Sequence, residues 1–144
     1  MERLTLVISA KDESKSLPRV LEDLDFVFCS GYEGNGGSDD DIFLTNIRNK
    51  IFTFSCNILF NLKISDVLFT YVIGKTNKYK ELVLKSNDSP FCVELPIKAK
   101  FKKFNLSRVP SYERSRFAGI KKINEFKDGF LILISILKIL VFRK

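Results

Sequence analysis

Between Arg114 and Lys127, five basic side chains fall within fourteen positions: Arg114, Arg116, Lys121, Lys122 and Lys127, with Gly119 among them. Arginine offers a planar, two-pronged donor to phosphate, and glycine lets a backbone approach an anion closely. A loop of this kind could grip a diphosphate or a lipid phosphate; for any single lysine here, a solvated surface is the plainer reading. Asp66 lies at an element boundary, after a long helical pattern and before an apolar run. It could act as a general base, or it could cap its own turn. Asp39, Asp40 and Asp41 form an acidic run that could hold Mg²⁺ or Mn²⁺, though capping of the following helix is favoured. The loop GYEGNGG (31–37) matches neither a dinucleotide fingerprint nor a Walker A motif and reads as a flexible loop. The chain contains no histidine, so imidazole acid–base catalysis and imidazole-ligated metal sites are excluded.

The elements that must position these residues follow from patterning. Leu4 to Ile8 is an apolar run with β-branched members, expected as a buried strand of a parallel sheet. Leu17 to Leu24 has helical spacing, with Ser16 placed to cap and Pro18 in the first turn. Asp25 to Ser30 is a second strand. Ile42 to Leu62 reads as a long helix whose apolar face is Ile47, Ile51, Phe54, Ile58 and Leu62, with Arg48, Asn49 and Lys50 opposite. A turn at Ser65–Asp66 precedes a strand over Leu68 to Ile73, stopped by Gly74. Asn77 to Leu84 is a short helix, Ser86 to Pro90 a turn, and Phe91 to Phe101 a helix in which Pro96 stands either early or at the start. Phe104 to Val109 is a strand. Phe130 to Phe142 is apolar on nearly all sides. Its thirteen residues would rise about 20 Å against a hydrocarbon core of about 30 Å, too short to span. Burial is its default, and a position on a membrane surface the second choice, because Lys127, Lys138, Arg143 and Lys144 flank it.

A chain of 144 residues is long enough for one α/β domain with its own core. Three cysteines without paired spacing read as free thiols in a reducing, cytoplasmic setting. No secretory signal pattern opens the sequence. Charge is divided: residues 1–41 carry ten acidic and four basic side chains, residues 96–144 three acidic and thirteen basic. The basic third can face nucleic acid, an acidic membrane surface or phosphate-bearing small molecules. Nucleic acid is the least favoured, since Tyr112, Phe117 and Phe126 lack the spacing of a base-stacking platform.

Several segments, in order, resemble the family 2 glycosyltransferases of the dolichol-phosphate-mannose synthase type. They are FVFCSGYEGNGG, NKIFTFSCNILFNLKISDVL, FCVELPIKAKFKKFNLSRVPSYERSR and GIKKINEFKDG. The opening LTLVISAKDESKSLPRVLEDL resembles the first strand and helix of that family, whose motif reads V-I-P-A-x-N-E. The resemblance implies a GT-A (Rossmann-like) sheet with flanking helices and an apolar C-terminal helix, and transfer of a sugar from a nucleotide-sugar donor to an acceptor such as a polyprenyl phosphate. It places Ala10 and Glu13 on the nucleotide-contacting loop, with Ser9 and Asp12 where Pro and Asn are usual. Asp66 falls on the acidic residue of a D-x-x-T-G-Y motif, with Phe69 and Thr70 in place of Thr and Gly. Arg114, Arg116, Lys121 and Lys122 fall in the loop that closes over donor and acceptor phosphates. Gly31 stands where a G-S-R-Y motif has its Arg.

The same resemblance implies a loss. The family has several strands and helices between its first helix and the FVFCS strand, including the D-x-D motif that holds a catalytic Mg²⁺ or Mn²⁺. Here Leu24 runs directly into Asp25 and Phe26. The expectation is one domain over 1–144 with an internal deletion near 18–26, an incomplete sheet, no ligands for the family's metal, and weak or absent transfer. Missing central strands would also leave strand edges and apolar helix faces uncovered. The alternative is a non-catalytic module that binds phosphate or a membrane surface.

Overall fold

The computed structural model describes residues 4–7, 23–39, 43–114 and 125–142. It is a mixed α/β structure. Strand β1 (Leu4–Val7), β2 (Phe26–Ser30), β4 (Val72–Lys75) and β5 (Leu106–Pro110) form one sheet in the order β1-β4-β2-β5. Two short strands, β3 (Gly37–Ser38) and β6 (Tyr112–Glu113), pair separately and in parallel. The helices are α1 (Phe43–Phe60), α2 (Thr76–Glu81), α3 (Phe91–Phe101) and α4 (Glu125–Phe142). The helix expected over Leu17 to Leu24 lies outside the described residues up to position 22; Leu24 itself is in the irregular lead-in to β2.

The sheet departs from a purely parallel one. β4 runs antiparallel to both β1 and β2, whereas β2 and β5 are parallel. β1, β2 and β5 therefore point the same way, and β4 alone is reversed. β1 pairs with the reversed strand at one end of the order, not inside a parallel sheet as expected. The strand expected over Leu68 to Ile73 begins only at Val72, and it continues through Gly74, which was expected to stop it. Packing explains the glycine. A Cβ at Gly74 would lie 2.3 Å from the ring of Phe26, its partner on β2, so only a residue without a side chain lets that ring cross the strand.

Phe26, Phe28, Cys56, Phe60, Leu62, Ile64, Val67, Leu82, Val93, Leu95, Ile97, Ala99, Ile132 and Ile136 make the main core between the sheet and α1, α3 and α4. α3 is its centre: Val93, Ile97 and Ala99 are fully enclosed, and Pro96 lies inside the helix, which answers where that proline stands.

α1 is turned the other way from expectation. Its inward positions are Thr45, Asn49, Thr53, Cys56 and Phe60. Ile47, Ile51, Phe54 and Ile58, expected inside, are 40 to 67% exposed. Leu62, just past the helix end, is the one member of the expected face that is buried. The polar inward positions are used. The side chain of Asn57 donates to the Ile64 carbonyl at 2.8 Å and accepts from the Ile64 amide at 3.1 Å, and the Thr53 hydroxyl accepts from the Val67 amide at 3.0 Å. These bonds fold the chain back at Asn61 and Lys63, both at positive φ, so α1 presents its polar side to the turn it organises.

α4 also corrects two expectations. It starts at Glu125, not Phe130, so the end of the basic stretch belongs to its first turn. Nor is it buried all round: Ile132 and Ile136 are enclosed, while Phe126, Phe130, Leu133, Leu137, Val141 and Phe142 are exposed. Among the described residues, no helix is long and apolar enough to cross a membrane.

Candidate functional site

Asp66 sits in the turn that α1 organises and is 2% exposed. Its Oδ1 accepts from the Leu68 and Phe69 amides, both at 3.2 Å. This is the side-chain-to-backbone pattern by which aspartate shapes a turn. Beside it, the Ser65 hydroxyl donates to Glu33 Oε2 at 3.1 Å. Glu33 Oε1 accepts from Arg108 Nε at 2.8 Å, and Arg108 Nη1 donates to the Lys63 carbonyl at 2.9 Å. Glu33, Ser65 and Arg108 thus tie the glycine-rich loop, the Asp66 turn and β5 together. Sequence reasoning missed this set; the three residues are far apart in the chain and follow no motif.

The glycine-rich loop is tied by backbone hydrogen bonds at its second half. Gly36 donates its amide to Glu33 at 2.8 Å, and Gly37 and Asp39 donate theirs to Ser111 and Glu113 at 3.1 and 2.9 Å. A Cβ at Gly36 would stand 2.6 Å from the Ser30 carbonyl oxygen, so close backbone approach is what this glycine permits. Tyr112 closes the same junction with a short hydrogen bond from its hydroxyl to Asp39. That bond and the Asp39 charge raise the Tyr112 pKa, while the charge of Arg114 opposes them.

Of the expected phosphate-binding residues, Arg114 is placed and exposed, just past β6. Arg116, Lys121 and Lys122 lie outside the described residues, as do the nucleotide-loop residues Ala10 and Glu13 and the candidate caps Asp40 and Asp41. Among the described residues, no group of three His, Cys, Asp or Glu side chains could hold a metal ion. Asp66 accepts from the amides of its own turn and Asp39 from the Tyr112 hydroxyl. The three cysteines are free. Burial pushes the Cys56 and Cys92 thiols up to about 12, which leaves neither a nucleophile at neutral pH.

The most distinctive surface is apolar. Phe43, Ile47, Ile51, Phe54 and Ile58 recur along α1 at helical spacing, and all are 40% or more exposed. Phe126, Phe130, Leu133, Leu137 and Val141 do the same along α4. An open pocket of about 570 Å³ adjoins the first stripe, with Ile51, Phe54, Ile64 and Tyr32 in its walls and Thr53 and Asn57 at its polar edge. Arg48 and Phe52 of α1 rest over Gly129 of α4, so the two striped helices touch near their N-terminal ends. Four polar atoms on α1 are buried without a hydrogen-bond partner: Asn46 Oδ1, Asn49 Oδ1, and Arg48 Nε and Nη1.

No protein-family model, curated protein or solved structure matches this chain.

Proposed function

We propose that this chain is a shortened relative of the family 2 glycosyltransferases that docks on a membrane surface at its cytoplasmic face, with its sugar-transfer chemistry impaired or absent. The observation that carries the docking is the pair of exposed apolar stripes on α1 and α4. A helix of 18 residues with one apolar side and basic neighbours suits the plane of a headgroup layer, where the stripe enters the acyl boundary and lysine or arginine stays among phosphates. The net positive charge of residues 96–144 gives the same surface an attraction to anionic lipid. Free cysteines are compatible with the reducing side of the membrane. Flotation with vesicles containing phosphatidylglycerol tests this. Binding should weaken with salt and be lost when Phe54 and Phe130 are both changed to Asp; a wild-type chain that stays at the bottom of the gradient overturns it.

The glycosyltransferase ancestry draws support from the sheet. β1, β2 and β5 share one direction with a single reversed strand among them. A mostly parallel α/β sheet that has lost strands between β1 and β2 would look like this. In the ancestral reaction Asp66 would lie near the acceptor, and Arg114, Arg116, Lys121 and Lys122 would hold phosphates of the nucleotide sugar and of a polyprenyl-phosphate acceptor. Calorimetric titration with nucleotide sugars and Mn²⁺ is the test. Little or no binding and no transfer are expected. Metal-dependent transfer that Asp66→Asn abolishes would overturn the loss of activity and support the ancestry.

A further inference from the structure

Val83 stands in the left-handed region of the backbone, at a φ of 48°. A β-branched side chain is seldom found there, and glycine or asparagine would hold the same turn at lower cost. The conformation is enforced by the buried side of the loop. Lys98 Nζ donates to the Val83 carbonyl at 2.8 Å, and the Lys85 and Ser86 amides donate to the buried Glu94 carboxylate at 3.0 and 2.8 Å. The Val83 side chain is nevertheless 70% exposed, so packing of the core does not account for a valine at this position. Backbone strain imposed by a well-tied surrounding is a feature of ligand-contacting surfaces.

Val83 lines an open cavity of about 470 Å³, with Tyr79, Lys80, Leu84, Asn87 and Phe91 among its other walls. That volume is in the range of small-molecule sites. The Tyr79 and Phe91 rings stand 6.5 Å apart at 47°, which makes one side of the cavity an angled aromatic wall. Lys80 is exposed and has no ion-pair partner among the described residues. The acids close to it in the chain are engaged elsewhere: Glu81 pairs with Lys78 at 3.3 Å, and Glu94 with Lys98 at 2.6 Å. We propose that this cavity is a binding site for a small aromatic anion, a flat ring carrying a carboxylate or a phosphate. The ring lies against Tyr79, Phe91 and Val83, where aromatic and aliphatic contacts favour a flat apolar body. The anion meets the Lys80 ammonium, a point charge that accepts either oxyanion, and the Asn87 amide can donate beside it. The Glu94–Lys98 pair then acts as a positioning device that holds Val83 outward. No residue of the exposed stripes on α1 and α4 lies among these walls, so the site does not depend on membrane docking.

The test titrates the wild-type chain, Lys80→Gln and Val83→Asn with 2-naphthoate, 2-naphthyl phosphate, neutral 2-naphthol and inorganic phosphate, followed by amide shifts in ¹H–¹⁵N spectra. In the wild type, one or both of the naphthyl anions should move the Val83, Ser86 and Asn87 amides, and the tighter of the two names the preferred oxyanion. Inorganic phosphate should move none of them. Lys80→Gln should lose up to about fivefold in affinity for the naphthyl anions, as a solvent-exposed ion pair does, and none for 2-naphthol. Val83→Asn should lose about tenfold for every ring-bearing probe, the scale of one valine contact. Its melting temperature should not fall below that of the wild type, because asparagine tolerates the left-handed conformation. Shifts confined to the α1 and α4 stripes would overturn the site, since the rings would then be meeting apolar surface in general. Equal losses of anion and 2-naphthol in Lys80→Gln would overturn the role of the cation. A Val83→Asn chain that melts lower and still binds would show that Val83 serves the fold, and would overturn the proposal.

Discussion

Glu94 on α3 and Arg48 on α1 are both charged side chains drawn into the protein, and their surroundings differ completely. Glu94 is 4% exposed. Its Oε1 accepts from the Lys85 amide at 3.0 Å and from Lys98 Nζ at 2.6 Å, and its Oε2 accepts from the Ser86 amide at 2.8 Å. Lys98 in turn donates to the Val83 carbonyl at 2.8 Å. Burial pushes the Glu94 carboxyl up, but the Lys98 and backbone hydrogen bonds outweigh it and hold the group down at about 2. Arg48 has nothing comparable on Nε or Nη1. The helices differ in the same sense. α3 encloses Val93, Leu95, Ile97 and Ala99, whereas α1 and α4 each leave a stripe of apolar side chains in water beside the few that they bury. One region is satisfied by its own hydrogen bonds and packing; the other leaves apolar side chains in water and buried polar atoms without partners.

The sharpest way to break this contrast is a pair of truncations. Ile97 on α3 is fully enclosed and Ile51 on α1 is 57% exposed. Ile97→Ala should cost about 2–5 kcal/mol, the transfer term plus a cavity. Ile51→Ala should stay within about 0.5 kcal/mol. Urea unfolding of both variants measures the difference. A large loss at Ile51 would mean that α1's stripe is covered in solution, by a second copy or by another part of the protein.

Glu94→Gln comes next. A carboxyl lowered from its ordinary 4.5 to about 2 in the folded state corresponds to about 3 kcal/mol at neutral pH. Because the folded value is the depressed one, this stabilisation is full above about pH 4.5. It fades as pH falls toward 2. The gap between wild type and Glu94→Gln in chemical denaturation should therefore be wide at pH 7 and close across that window. A gap independent of pH would show that shape, not charge, is what α3 needs at this position.

Gly74→Ala tests the sheet that both regions share. The added methyl would meet the Phe26 ring at 2.3 Å, and a flexible ring in a packed core can yield only in part. A loss of about 1–3 kcal/mol is expected, seen as a lower midpoint in thermal unfolding. No loss would mean that Phe26 has room to turn, and that the β2–β4 pairing is looser than the core around α3.

How much of this could be read from the sequence divides along the same line. The strand Phe26–Ser30 and the helix Phe91–Phe101 were legible because apolar runs and burial agree there. α1 was legible as a helix from its period, but its orientation was not. The rule that apolar sides face inward failed because Thr53 and Asn57 are needed to satisfy the backbone of the turn at 61–67. β4 was misplaced because Leu68–Ile73 has strand-like residues throughout. Its pairing is decided by the partner strand and by the glycine under Phe26, neither of which is local. The first turn of α4 reads as loop in the sequence because Glu125, Lys127 and Asp128 carry no apolar pattern, although the helix continues through them. At the candidate site, the turn role of Asp66 was legible as one of two readings from aspartate's habit of bonding nearby amides. The Glu33–Ser65–Arg108 link required the fold.

The smallest expected effect probes the unfinished side directly. Two guanidinium nitrogens shut off from water without partners are a standing cost, so replacing half-buried Arg48 with an unbranched apolar side chain of similar reach should not destabilise the protein. Exchanging unsatisfied buried charge for apolar packing is commonly neutral or favourable. Arg48→Met is expected to change stability by between zero and about +1 kcal/mol in guanidinium unfolding without lipid. A loss of more than about 1 kcal/mol would mean that Arg48 serves the folded chain itself, as Glu94 does. It would then belong with the region around Glu94. A gain in stability would separate the two regions most cleanly: Arg48 would then cost the protein stability where Glu94 supplies it.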